Sequence, residues 1–111
     1  KMLALNDPIA EVSTKVVLGL TRPVWNASPA TMKLVAMARA LAKDLGQPFR
    51  HENSGGGSDG NFTGAMGVPT LDGLGVAGDK FHTLDEHIEI DSLVVRGRMM
   101  AGLLMQIDAS L

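Results

Sequence analysis

Apolar residues recur at three- and four-residue spacing through two stretches of this chain, and alternate briefly in a few others. Leu34, Ala38, Leu41 and Leu45 make the first stripe, widened by Val35 and Ala42. That period puts them on one face of an α-helix. Ser28 precedes it as an N-cap, Pro29 takes the first helical position and Gly46 supplies a stop, so a helix is expected over 29–45. A second helix, capped by Asp91, is expected from Ser92 to about Ala109. Its expected buried face is Leu93, Gly97, Met100, Ala101, Leu104 and Ile107, with Gly97 admitting another backbone. Both stripes read as core and nothing more.

The remaining signals are shorter. Residues 9–20 are rich in Val, Thr and Leu, with Val12, Thr14, Val16 and Leu18 in partial alternation, which reads as a strand. Pro23 favours extended backbone before it, placing Arg22 at that strand's end. Short strands are expected over 49–52 and 68–71, and "NFTGAMG" reads as a short helix ending near Gly67. Helices alternating with short apolar strands predict an α/β layer arrangement.

Composition narrows the class. The 111 residues make one domain or a piece of one, and 45% hydrophobic with 20% charged residues is an ordered, globular balance. The longest apolar run falls far short of a membrane span, so no membrane role is expected. A net charge of −2 with scattered basic residues gives no nucleic-acid footprint. No cysteine is present, so disulfides and thiolate metal sites are excluded, and any metal must be held by His, Asp or Glu. The chain opens on Lys1, already reading as the inside of a strand, which leads us to expect a piece of a longer protein.

Candidate chemistry sits in three places. "SGGGSDGNF", residues 54–62, is a bare loop whose backbone N–H groups can hold a carboxylate or phosphate, helped by a following helix N-terminus. No Gly-Lys-Ser/Thr follows, so it is not a Walker loop, and its spacing does not fit a dinucleotide fingerprint. A plain tight turn explains the glycines equally well. His82 lies in a second loop near Asp79, Asp85, Glu86 and His87. It is either a surface histidine or a metal ligand whose acidic neighbours support it. The five-residue gap to His87 is not the helical zinc-binding spacing, and His51 reads as structural or exposed. Arg22 offers a planar fork to a carboxylate, or is a solvated charge.

Taken in order, "GLTRPVWNASPAT", "SGGGSDGNF", "GVPTLDGLGVAGDKFHTLDEHIEIDSL" and the closing helix resemble the C-terminal part of the two-zinc carboxypeptidase and aminoacylase family. The nearest branch is that of glutamate carboxypeptidase and carboxypeptidase G. The resemblance covers nearly the whole chain. It implies a three-layer zinc-peptidase fold, here as an incomplete domain. Residues 1–24 would end the lid and dimerisation domain, and 25–111 would belong to the catalytic domain.

The resemblance also implies roles. His82 matches the family's last zinc ligand, and Arg22 the arginine that grips the substrate's C-terminal carboxylate. Gly56, Gly57 and Ser58 match the loop lining the substrate pocket, with Asp59 bracing it. The implied chemistry is hydrolysis of an amide beside a C-terminal amino acid, with two zinc ions in the full-length enzyme. Substrates would be small peptides or N-acyl amino acids, and the full-length protein a homodimer. The family's early His-x-Asp pair, bridging aspartate and Glu-Glu segment, which carries the general base, do not occur in these residues. The chain by itself is therefore expected to be inactive, to hold no zinc stably, and to self-associate through exposed sheet edges. The compartment is left open. Two other readings remain: a non-catalytic module that binds carboxylates through the glycine loop, and a phosphate or nucleotide binder using the same loop.

Overall fold

The computed structural model describes residues 12–19 and 21–107. The first helix, α1, spans Pro29–Asp44. Ser28 Oγ accepts the Thr31 N–H at 3.1 Å and caps its start. At its end Gly46, at φ +67°, lets its own N–H reach the Lys43 carbonyl and that of Gln47 reach Ala42. That paired closure is the Schellman stop, and a left-handed residue is what it requires.

Helix α2 is the single short turn Gly60–Ala65. Strands β1 (Gly78–Asp79) and β2 (His87–Ile88) pair antiparallel with Gly78 opposite Ile88 and Asp79 opposite His87. Helix α3 spans Ser92–Gln106 and packs on α1. Mixed helix with a small sheet agrees with the α/β class. The buried hydrophobics of the described residues are Leu34, Val35, Ala38 and Ala42 from α1, and Met99 and Leu103 from α3.

The α1 stripe is thus the one its period predicts, but the α3 face is not. Leu93, Leu104 and Ile107 are exposed, while Met99 and Leu103 are buried. Helix α3 carries apolar residues nearly all round, so periodicity could not choose a side. Gly102 chooses it: a Cβ there would stand 2.7 Å from Leu41 Cδ2, whereas at Gly97 it would meet nothing within 4 Å. Glycine admits the neighbouring helix at 102, not 97. On the outer side, Met100, Leu104 and Ile107 line a groove of about 310 Å³ with Leu34 and Leu71.

Asp91 makes no capping hydrogen bond. Ser92 Oγ instead accepts the Ala77 N–H at 2.9 Å and donates to the Glu89 carbonyl at 2.6 Å, tying α3 to the hairpin.

The strands expected over 49–52 and 68–71 are irregular backbone. A strand needs a neighbour to satisfy its N–H and C=O groups, and among the described residues neither has one. Side chains fix residues 49–51 instead: the Arg39 guanidinium lies 5.7 Å from the Phe49 ring centre and 3.3 Å from His51 Nδ1. Of the strand expected over 9–20, residues 9–11 and Leu20 lie outside the described residues, and only Val12 is in a strand bridge. Arg22 follows irregular backbone.

Candidate functional site

The glycine loop stands because its own side chains take up every second N–H. Ser54 Oγ accepts from Gly56 at 3.1 Å, Asn61 Oδ1 from Ser58 at 2.7 Å, and Ser58 Oγ from Gly60 at 3.1 Å. The intervening N–H groups of Gly55, Gly57 and Asp59 have no acceptor among the described residues. The loop therefore offers alternate donors, not a continuous row of them.

The segment "RPVW", residues 22–25, lies against this loop and α2. Arg22 runs along Gly57, its Cδ 3.1 Å from where a Cβ would stand. Its Nη2 is 3.3 Å from Asp59 Oδ1. Asn61 Nδ2 donates to the Pro23 carbonyl at 2.8 Å. Trp25 covers Gly64, where a Cβ would sit 2.6 Å from ring carbon Cε3. Positions 57, 61 and 64 thus form one face that receives 22, 23 and 25.

With its partner Asp59 95% exposed and Arg22 itself 51% exposed, the ion pair contributes at most about 1 kcal/mol. Its consequence is orientation. Arg22 stays beside Gly57, at the edge of a cleft of about 1410 Å³ that Gly56, Ser58 and Phe81 also line. Arg22 and Gly57 both line that cleft. The Asp59 side chain bonds to Arg22, while Ser54, Ser58 and Asn61 take up the loop's own N–H groups. Asp59 also leaves α2 without a side-chain cap.

His82 stands on the tip between β1 and β2, exposed, next to the cleft-lining Phe81. Its backbone is left-handed at φ +65°, as is that of Lys80 at +57°. Such geometry costs a non-glycine residue on the order of 1 kcal/mol. The tip holds it with hydrogen bonds: Glu86 Oε2 accepts the His82 N–H at 3.1 Å, Asp79 Oδ1 that of Lys80 at 2.7 Å, and Thr83 Oγ1 donates to the Lys80 carbonyl at 2.7 Å. The acidic neighbours thus brace backbone, while His87 Nδ1 lies 2.9 Å from the Asp85 carbonyl. Among the described residues no three His, Asp or Glu side chains gather to hold an ion. His82 alone offers a single imidazole donor, so these residues do not complete a zinc site.

Sequence reasoning missed Asn61 and Trp25. Asn61 follows "SDG" as an unremarkable polar residue at the start of a helix, and its partner Pro23 is 38 positions away. Gly64, inside a helical stretch, was the available signal, because a helical glycine marks a close approach.

Two curated proteins and one family model resemble this chain. Carboxypeptidase G2 of Pseudomonas sp. (strain RS-16) is 32% identical over 108 residues, which is 96% of this chain and 26% of that protein. The uncharacterized protein YqjE of Bacillus subtilis (strain 168) is 33% identical over 72 residues, 65% of this chain and 19% of its own length. This chain thus spans about a quarter or less of the relatives it matches. No solved structure matches it. The model of peptidase family M20/M25/M40 matches residues 10–106, and the chain belongs to that family.

Proposed function

We propose that this chain is the C-terminal segment of a zinc-dependent hydrolase that cleaves an amide bond beside a C-terminal amino acid, and that it grips the substrate's carboxylate. The observation carrying this reading is Arg22 lying along Gly57 at the edge of the cleft, with the Gly57 N–H unused among the described residues. A carboxylate has two oxygens, and guanidinium plus amide gives each a donor. Glutamate is the C-terminal residue we propose.

In this reading residues 1–24 end a lid domain that also dimerises, and 25–111 complete a three-layer catalytic domain. The small core and the apolar outer side of α3, with Leu104 68% and Met105 87% exposed, support a larger domain around it. His82 contributes one ligand to one of two zinc ions whose other ligands lie outside these residues. Its backbone strain supports the role, since strain of this kind is retained where function needs a side chain held in place. Zinc, when bound, polarises the scissile carbonyl and lowers the pKa of water. This chain's own part is to orient the substrate by its carboxylate.

The test is turnover of N-acyl glutamates by the full-length gene product. Arg22→Ala should raise KM roughly 10- to 100-fold for substrates with a free α-carboxylate and leave the α-amide analogues unchanged. Equal losses on both substrates, or a gene without upstream His-x-Asp and Glu-Glu motifs, would overturn it. In the latter case the chain would be a carboxylate-binding module without hydrolysis.

A further inference from the structure

We propose that Asn61 is a positioning residue that sets the gap between Arg22 and the Gly57 N–H, and so determines how tightly a carboxylate is held. The inference rests on reading this cleft as the carboxylate site. Four contacts join the "RPVW" segment to the loop and α2, and two of them, at Gly57 and Gly64, only permit approach by lacking a side chain. The Arg22–Asp59 ion pair is directional but lies between exposed side chains, which leaves Asn61 as the half-buried directional tie. The half-buried Asn61 carboxamide accepts the Ser58 N–H at 2.7 Å through Oδ1 and donates to the Pro23 carbonyl at 2.8 Å through Nδ2.

Both partners dictate the orientation of the amide, since an N–H needs an oxygen and a carbonyl needs an N–H. Proline's ring fixes its own φ, so pinning the Pro23 carbonyl also restricts the adjoining Arg22 backbone. The same side chain, through Oδ1, occupies the Ser58 N–H, while that of Gly57 has no acceptor among the described residues. One side chain thereby selects the donor and places the cation beside it.

Chemistry distinguishes this role from simple bulk. An aspartate in place of Asn61 would be the same size, but ionised it would turn an oxygen toward the Pro23 carbonyl, and two acceptors repel. Protonated, it would again carry a donor. In Asn61→Asp we therefore expect affinity for N-acetylglutamate about 5- to 10-fold below wild type at pH 7, roughly the loss of one hydrogen bond. That deficit, taken against wild type at each pH, should shrink toward pH 4, near the ordinary aspartate pKa.

The experiment is calorimetric titration of the full-length gene product, stripped of metal, with N-acetylglutamate, for wild type, Asn61→Asp and Arg22→Ala. Circular dichroism reports folding of each variant. If wild type binds and Arg22→Ala does not, the carboxylate site stands. An Asn61→Asp variant equal to wild type, or with a deficit independent of pH, then overturns the positioning role alone. If Arg22→Ala binds like wild type, or wild type does not bind, the site reading itself fails. Should Asn61→Asp not fold, hydrogen exchange of the wild-type Asn61 side-chain amide decides: slow exchange is expected, and exchange at the free rate overturns the bridge.

Discussion

Arg22 lies along Gly57 so closely that its Cδ is 3.1 Å from the position a Cβ would take. Gly57→Ala therefore has to push the arginine aside by a few tenths of an ångström. The side chain is half exposed and can move, so stability should change by no more than about 0.5 kcal/mol. The guanidinium, however, leaves its place beside the loop. Calorimetry should show affinity for N-acetylglutamate falling about 3- to 10-fold, consistent with a weakened charge-assisted contact. Unchanged affinity would mean that the approach of Arg22 to the loop has no role in binding.

Gly64→Ala meets a ring rather than a flexible chain. Trp25 must leave its seat on α2, at a cost of roughly 1–3 kcal/mol. Trp25 is the chain's one tryptophan, so a red-shifted emission and a lower melting temperature should appear together. A wild-type emission spectrum would contradict the packing.

The two glycines inside α3 should respond in opposite directions. Alanine is the better helix former by about 1 kcal/mol, and at position 97 nothing opposes it, so Gly97→Ala should raise stability by up to about that amount. At position 102 the new methyl would crowd both Leu41 methyls, at 2.7 and 3.2 Å, and overpacking costs about 1–3 kcal/mol. Denaturant midpoints should rank Gly97→Ala above wild type and wild type above Gly102→Ala. The reverse order would place α1 against the other side of α3.

At the hairpin tip, glycine should relieve strain. Lys80→Gly and His82→Gly exchange left-handed non-glycine residues for the residue that prefers that region, so stability should be unchanged or higher, within about 1 kcal/mol. In the full-length enzyme His82→Gly should lose one zinc by metal analysis, whereas Lys80→Gly should keep both. Full zinc content in His82→Gly would remove His82 from the ligand set.

What the sequence made legible follows from how local each signal is. Helix α1 has its cap, stripe and stop within a single stretch, from Ser28 to Gly46, and local physics suffices for them. The face of α3 depends on which glycine meets Leu41, a tertiary fact that an all-round apolar helix does not encode. The segments 49–52 and 68–71 have strand composition, but composition does not supply a pairing partner. Arg22 and the glycine loop could be chosen as chemistry-bearing residues, yet their meeting depends on Asn61 reaching Pro23 across 38 positions. The loop's alternating use of its N–H groups was equally hidden, because Ser54, Ser58 and Asn61 read as ordinary polar residues around glycine.

In the proposed function, Arg22 and the Gly57 N–H together hold a carboxylate. Nitrogen-detected NMR of the labelled chain, titrated with N-acetylglutamate and then with its α-amide, tests it most directly. Shifts at the Gly57 amide and Arg22 Nε should saturate together with the carboxylate and be absent with the amide. Equal shifts with both ligands, or shifts that bypass these two nitrogens, would contradict it.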